Sequence, residues 1–304
     1  MKFSIRTGLK IITPVTLIRW VRRIQVLLKK KEIPETRSIF LHAPRSPEYL
    51  GSRELQELQK KYLFLPDYGY DPQSTNRRGA QRAKAILRFP GASRAHSFLE
   101  LGCWDGMVSY HLHRFGKQTT AVDLRSDGFD ERARRGGVNL MQMNAEDLRF
   151  DDASFDFVFS YDTFEHVSHP EGVLENSLRV LKPGGSLFLA FGPLYGSPFG
   201  QHAYRSISVP YCHLLFPQEL LNDFASSQGR NPIHFGHVNG WLVDRYRSLW
   251  QEYVPVLRRI RYSESLNLAH LSLVRQYPSC FRSKIEDFED LIVESISVLF
   301  EKVQ

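Results

Sequence analysis

Between Phe98 and Gly106 the chain runs Phe98-Leu99-Glu100-Leu101-Gly102-Cys103-Trp104-Asp105-Gly106, a short apolar strand that turns on glycine and opens into a helix. In an open α/β sheet such a turn stands at the carboxyl end of the strand, where ligands bind, and glycine there supplies a backbone that side chains do not hold away. A second mark follows 21 residues after Gly102: Asp123, at the end of the next apolar run. A carboxylate in that register is placed to accept hydrogen bonds from the two hydroxyls of a ribose. The pair predicts a nucleoside-containing ligand. A dinucleotide fingerprint is a poorer fit, because it asks for G-x-G-x-x-G and here Gly102 and Gly106 are four apart with Trp104 between them.

Five apolar runs have the length of strands: Ser97 to Leu101, Thr119 to Leu124, Val138 to Met143, Phe155 to Tyr161 and Ser186 to Phe191. Helical patterns separate several of them. Val108, Leu112 and Phe115 share one face before Gly116, and Val173, Leu174, Leu178 and Leu181 share another before Pro183-Gly184-Gly185, expected to be a sharp stop. The alternation predicts a Rossmann-like α/β fold with helices on both faces of a mostly parallel sheet. Farther on, a helix is expected near 241–252, strands near 255–262 and 295–303, and a helical connection near 264–275.

Three motifs in order carry a family resemblance. Glu100, Gly102 and Gly106 follow the first strand; Asn144-Ala145-Glu146-Asp147-Leu148-Arg149-Phe150 follows the third; Leu178-Arg179-Val180-Leu181-Lys182-Pro183-Gly184-Gly185 precedes the fifth. Residues 96–192 resemble the core of class I S-adenosylmethionine-dependent methyltransferases, in the branch that includes ubiquinone and menaquinone C-methyltransferases. The resemblance implies a seven-stranded sheet with one antiparallel strand and S-adenosyl-L-methionine as cofactor. It implies that Gly102 and Gly106 lie along the methionine part, that Glu100 anchors the amino end, and that Asp123 holds the ribose. Asn144 would accept from the adenine amino group, the Ala145 amide would face the ring, and Glu146 is an alternative polar contact. The chain departs from the pattern at Trp104, which replaces the middle glycine, and at Asn144, which keeps an acceptor oxygen without the charge.

Methyl transfer from a sulfonium is an in-line displacement, so the protein must hold the acceptor behind the methyl group and exclude water. The stretch 193–240 is longer than an ordinary connection and contains Tyr195, His202, Tyr204, Arg205, Tyr211, His213, His234 and His237. It is predicted to be an acceptor pocket or lid. His202, after the turn residues Gly196, Pro198 and Gly200, is the candidate general base. Asp162 is expected to touch the acceptor or the methionine end, and His166 to organise its loop. His213 reads as a core histidine. His202 and His213 have no third ligand spaced beside them, so no metal is assigned.

The charge is uneven. Of the 40 Lys and Arg, nine lie in residues 1–31 with no acid, and the remainder carries 31 basic against 33 acidic residues. Leu17, Trp20, Val21, Ile24, Leu27 and Leu28 fall at helical spacing, but arginines interrupt any membrane-spanning run. This basic amphipathic segment is expected to pack on the protein's own body or a second subunit, or to lie on an anionic membrane surface. The near-neutral remainder offers no phosphate track, which argues against nucleic acid. Cys103, Cys212 and Cys280 are too few and too far apart for a disulfide framework, and predict a cytoplasmic protein, peripheral to a membrane if attached at all. The division expected is a helical appendage over 1–93 and the catalytic domain over 94–304. The predicted activity is methylation of a hydroxyl on a small sugar, lipid-linked or secondary-metabolite acceptor. The alternatives are an RNA or protein methyltransferase recruited by the basic tail, and a noncatalytic protein that keeps the cofactor fold.

Overall fold

The computed structural model describes residues 29–66 and 68–303; the amphipathic run from Leu17 to Leu28 lies outside them. Three helices come first, α1 (Ile33–His42), α2 (Ser52–Lys61) and α3 (Pro72–Ile86). The core then alternates: β1 (Ser97–Leu101), α4 (Met107–Arg114), β2 (Gln118–Asp123), α5 (Glu131–Arg135), β3 (Asn139–Gln142), β4 (Phe155–Tyr161), α6 (Pro170–Val180) and β5 (Leu181–Phe191). After β5 come α7 (Cys212–Leu215), α8 (Gln218–Ser227), a 3-10 turn (Phe235–His237), α9 (Val243–Glu252), β6 (Leu257–Leu266), α10 (Leu271–Gln276), α11 (Pro278–Arg282), α12 (Glu289–Ile292) and β7 (Val293–Lys302).

Among the described residues seven strands form one sheet in the order β3-β2-β1-β4-β5-β7-β6. The first five are parallel, and β7 runs antiparallel between β5 and β6. Strand periodicity divides the core. Leu99, Leu101, Val158 and Leu187 meet α6 and α9 on one face, while Phe98, Phe157, Phe159 and Phe188 meet α3 and α4 on the other. Two local expectations change. β5 begins at Leu181, because Leu181 pairs with Phe155 before the register shift, so the Pro-Gly-Gly segment lies within the strand. β6 continues to Leu266 where a helical connection was expected, because Glu264 and Ser265 pair with Ile296 and Ser295.

The early helices share cores with the rest of the chain. Phe40, Leu55 and Leu58 pack with Ile207, Tyr211, Leu271 and Phe281. Arg275 Nη1 also bonds Glu32 and the Thr36 hydroxyl at 2.8 and 3.0 Å.

Candidate active site

The carboxyl ends of β1, β2 and β4 open into a cavity of about 600 Å³, closed on one side by Tyr68 and Tyr70 and by Arg78 and Arg82 of α3. The backbone turns at its floor are tight. Gly102 and Gly106 both take left-handed conformations, with φ of +65° and +72°. A Cβ on Gly102 would collide with the side chain of Thr163, whose hydroxyl donates to the Gly102 carbonyl at 3.1 Å. The close approach that requires glycine here is made by the loop after β4. Gly106 caps α4, and a Cβ there would meet Leu140 at 2.7 Å. It lies behind the turn, whereas Gly102 lines the cavity.

Trp104 also has positive φ, +49°, a conformation that costs a non-glycine residue roughly 1–2 kcal/mol. Its amide donates to Asp123 Oδ2 at 2.8 Å, and the Arg125 amide donates to Asp123 Oδ1 at 3.1 Å. The Asp123 carboxylate thus ties the two turns together, and each oxygen keeps a lone pair for a further donor. The indole does not fill the cleft. It is 45% exposed at the rim, edge-on to Tyr70.

Glu100 is buried at the cavity wall and accepts from the Ser109 amide and hydroxyl at 3.1 and 2.6 Å. Burial pushes its carboxyl up to about 8 against the bonds from Ser109, so it holds its proton at neutral pH. Asn144 and Ala145 line the same cavity, beside Met143. Asn144 Oδ1 accepts the Glu146 amide at 2.9 Å, which stiffens the loop and leaves the oxygen a second lone pair. Glu146 turns away, its Oε1 accepting the amide of His169 at the start of α6 at 3.1 Å. The reason is local: the free amides of a helix start attract a carboxylate.

The far side of the cavity and the layer behind it are built by three segments. Asp162, after β4, accepts from the Tyr68 hydroxyl at 2.8 Å and is ion-paired with Arg82. Burial, then the Asp162 charge, push the Tyr68 hydroxyl up to about 12. His166 and His237 line the cavity wall beyond it. His202 packs behind them, its ring 4.7 Å from that of His166, and its Nε2 donates to the Pro193 carbonyl at 3.2 Å. Burial holds His202 down to about 3, so it stays neutral and is a weak base. His213 is separate and buried, donating from Nε2 to the Tyr195 carbonyl at 2.7 Å. The structure thus separates His202 from His213 and groups it with His166 and His237.

Arg78, Arg82, Tyr68 and Glu165 were not among the expected site residues. The first three come from the segment read as an appendage, and nothing in their spacing ties them to a strand end 80 residues away in the chain. Glu165 is buried beside His166, accepting from the Gly192 amide at 3.0 Å, and its other oxygen has no partner among the described residues.

Residues 99–189, a little under a third of the chain, match the family described as a methyltransferase domain. The ubiquinone biosynthesis O-methyltransferase of Xanthomonas oryzae pv. oryzae is 35% identical over 98 residues, 30% of this chain and 41% of that protein. The enzyme of the same name from Caulobacter vibrioides is 31% identical over 121 residues, 36% of this chain and 48% of that protein. The chain thus spans less than half the length of these curated relatives. Among solved structures, a SAM-dependent methyltransferase from Thermotoga maritima superposes with a TM-score of 0.44 at 16% identity, covering 82% of this chain and 94% of that one. Among the described residues no helix is long and apolar enough to cross a membrane. With three sequence motifs in order and the glycine turn, Asp123 and Asn144 gathered on one cavity, residues 99–189 belong to the methyltransferase-domain family, of the class I S-adenosylmethionine-dependent type.

Proposed function

We propose that this protein transfers a methyl group from S-adenosylmethionine to a hydroxyl of a small, quinone-related aromatic acceptor. The observation that carries the reading is the single cavity joining Gly102, Asp123, Asn144 and Ala145 to Asp162, His166 and His237. The donor fits the chemistry of this wall: Asp123 has lone pairs for ribose hydroxyls, Met143 and Ala145 offer an apolar surface for a purine, and Glu100 lies where an ammonium would be met. When bound, the donor supplies a methyl carbon already activated by its sulfonium.

The chain's own residues then have two tasks. The first is to hold the acceptor oxygen in line and dry, for which Tyr68, Tyr70, Arg205 and His237 wall the cleft. The second is to take the hydroxyl proton as the new O–C bond forms. Asp162 stands on the acceptor side for that step, ahead of His202, which does not line the cavity. The relatives named for ubiquinone biosynthesis support a phenolic hydroxyl as the acceptor group. The basic segment 1–31 would attract anionic lipid near such an acceptor.

The test is calorimetry with S-adenosylhomocysteine, followed by transfer assays on simple catechols. Asp123→Ala removes a charged acceptor worth about 1.5–3 kcal/mol and is expected to weaken product binding about 10- to 100-fold while circular dichroism is unchanged. Absence of heat with both donor and product would end the reading.

A further inference from the structure

We infer that His166, His202 and His237 form a binding site for a zinc-like divalent metal ion, and that the metal presents the acceptor's oxygen to the methyl donor. One ring nitrogen from each of the three lies within 4.8 Å of the other two. They come from three segments: the loop after β4, the turn after β5 and the 3-10 turn at Phe235–His237. Those segments are stitched together. The Asn239 amide donates to the Glu165 carbonyl at 2.9 Å, and Asn239 Nδ2 donates to the Phe164 carbonyl at 3.1 Å.

The protons on two of the rings are fixed by this framework. A carbonyl can only accept, so His166 carries its proton on Nδ1, donating to the His237 carbonyl at 2.7 Å, and His202 carries its own on Nε2, donating to Pro193. That leaves His166 Nε2 and His202 Nδ1 as lone-pair nitrogens, and among the described residues neither accepts a hydrogen bond. Imidazoles whose second nitrogen donates to a backbone carbonyl are the arrangement by which proteins orient metal-ligating histidines. The His237 ring already lies against the other two, 4.4 Å from that of His166 and 5.9 Å from that of His202. Closing the ligands to a tetrahedral separation of about 3.4 Å, from metal–nitrogen bonds of about 2.0–2.1 Å, asks for movements on the order of 1 Å.

Three neutral imidazoles select a borderline ion such as Zn²⁺ over Mg²⁺ or Ca²⁺, which prefer oxygen. Three protein ligands leave a fourth position open. Because His166 and His237 line the cavity, that position faces the acceptor, and a coordinated phenol would give up its proton to Asp162, on the same cavity, more readily than a free one. The metal site stands on the histidine cluster alone, while its role rests on the methyl-transfer reading.

The full chain, stripped with chelator, is titrated with Zn²⁺ by calorimetry and with Co²⁺ by visible absorption. One ion per chain and an intense tetrahedral Co²⁺ spectrum are expected. His237→Ala, at an exposed position, and His202→Ala should each weaken binding by more than about 10-fold, and His42→Ala, on α1, should leave it unchanged. No binding, or binding indifferent to His237→Ala, overturns the site, even if His202→Ala does not fold. S-adenosylhomocysteine is titrated in parallel: product binding without metal binding sinks the metal site alone, and metal binding without product binding sinks the methyl-transfer reading alone. Chelator should abolish transfer to a catechol and leave product affinity intact; transfer that survives chelation removes the metal's role.

Discussion

Glu100 shows how far burial alone can reset a residue. A glutamate ordinarily ionises near 4.5, yet here the carboxyl holds its proton to about 8. The folded chain therefore keeps a proton that the unfolded chain has already released, so this group's contribution to stability is full below 4.5 and is lost as pH rises through 8. Urea denaturation should show a stability loss of up to about 1.4 kcal/mol per pH unit across that window, and Glu100→Gln should remove it. The same proton reports on the site. If Glu100 meets the donor's ammonium, binding ionises it, and calorimetry in buffers of different ionisation enthalpy at pH 7 should record release of about one proton, lost in Glu100→Gln.

The floor of the cleft depends on two elements meeting. Gly102 follows β1, Thr163 follows β4, and the pairing of Leu101 with Ser160 brings their loops into contact. Gly102→Ala adds a left-handed alanine and an overpacked contact, a combined destabilisation of about 2–5 kcal/mol in chemical denaturation. Thr163→Ala in the same chain should restore part of it, because the methyl and hydroxyl collisions vanish while the Cβ contact at 2.7 Å stays. Strict additivity of the two substitutions would refute this account, since touching residues couple by about 0.5–3 kcal/mol.

Over the whole molecule, α1 and α2 lie in the same core as the stretch 193–240 and the helices after β6. Phe40 is fully buried, and its ring lies 5.9 Å from that of Phe288. Phe40→Ala should lower stability by about 3–5 kcal/mol and leave one transition, with tryptophan fluorescence and far-ultraviolet ellipticity coincident. An early, separate loss of helix would mean that the first helices fold independently of the sheet.

Periodicity along the chain was enough to locate the five parallel strands, though not the start of β5 or the end of β6. β1 and β4 have the bounds expected of them, because each buried strand is bounded by glycine or polar residues within its own few positions. The glycine turn and Asp123 were legible for the same reason: their positions relative to strand ends are set locally. What the linear order left undecided depends on distant segments meeting. Arg82 finds Asp162 across 80 residues, Thr163 occupies the space beside Gly102, and His166, His202 and His237 converge from three loops. Where strands and helices fall follows largely from alternation within a few residues, with strand ends adjusted by pairing, whereas which side chains share a cavity is decided by the packing of sheet, helices and long insertion together.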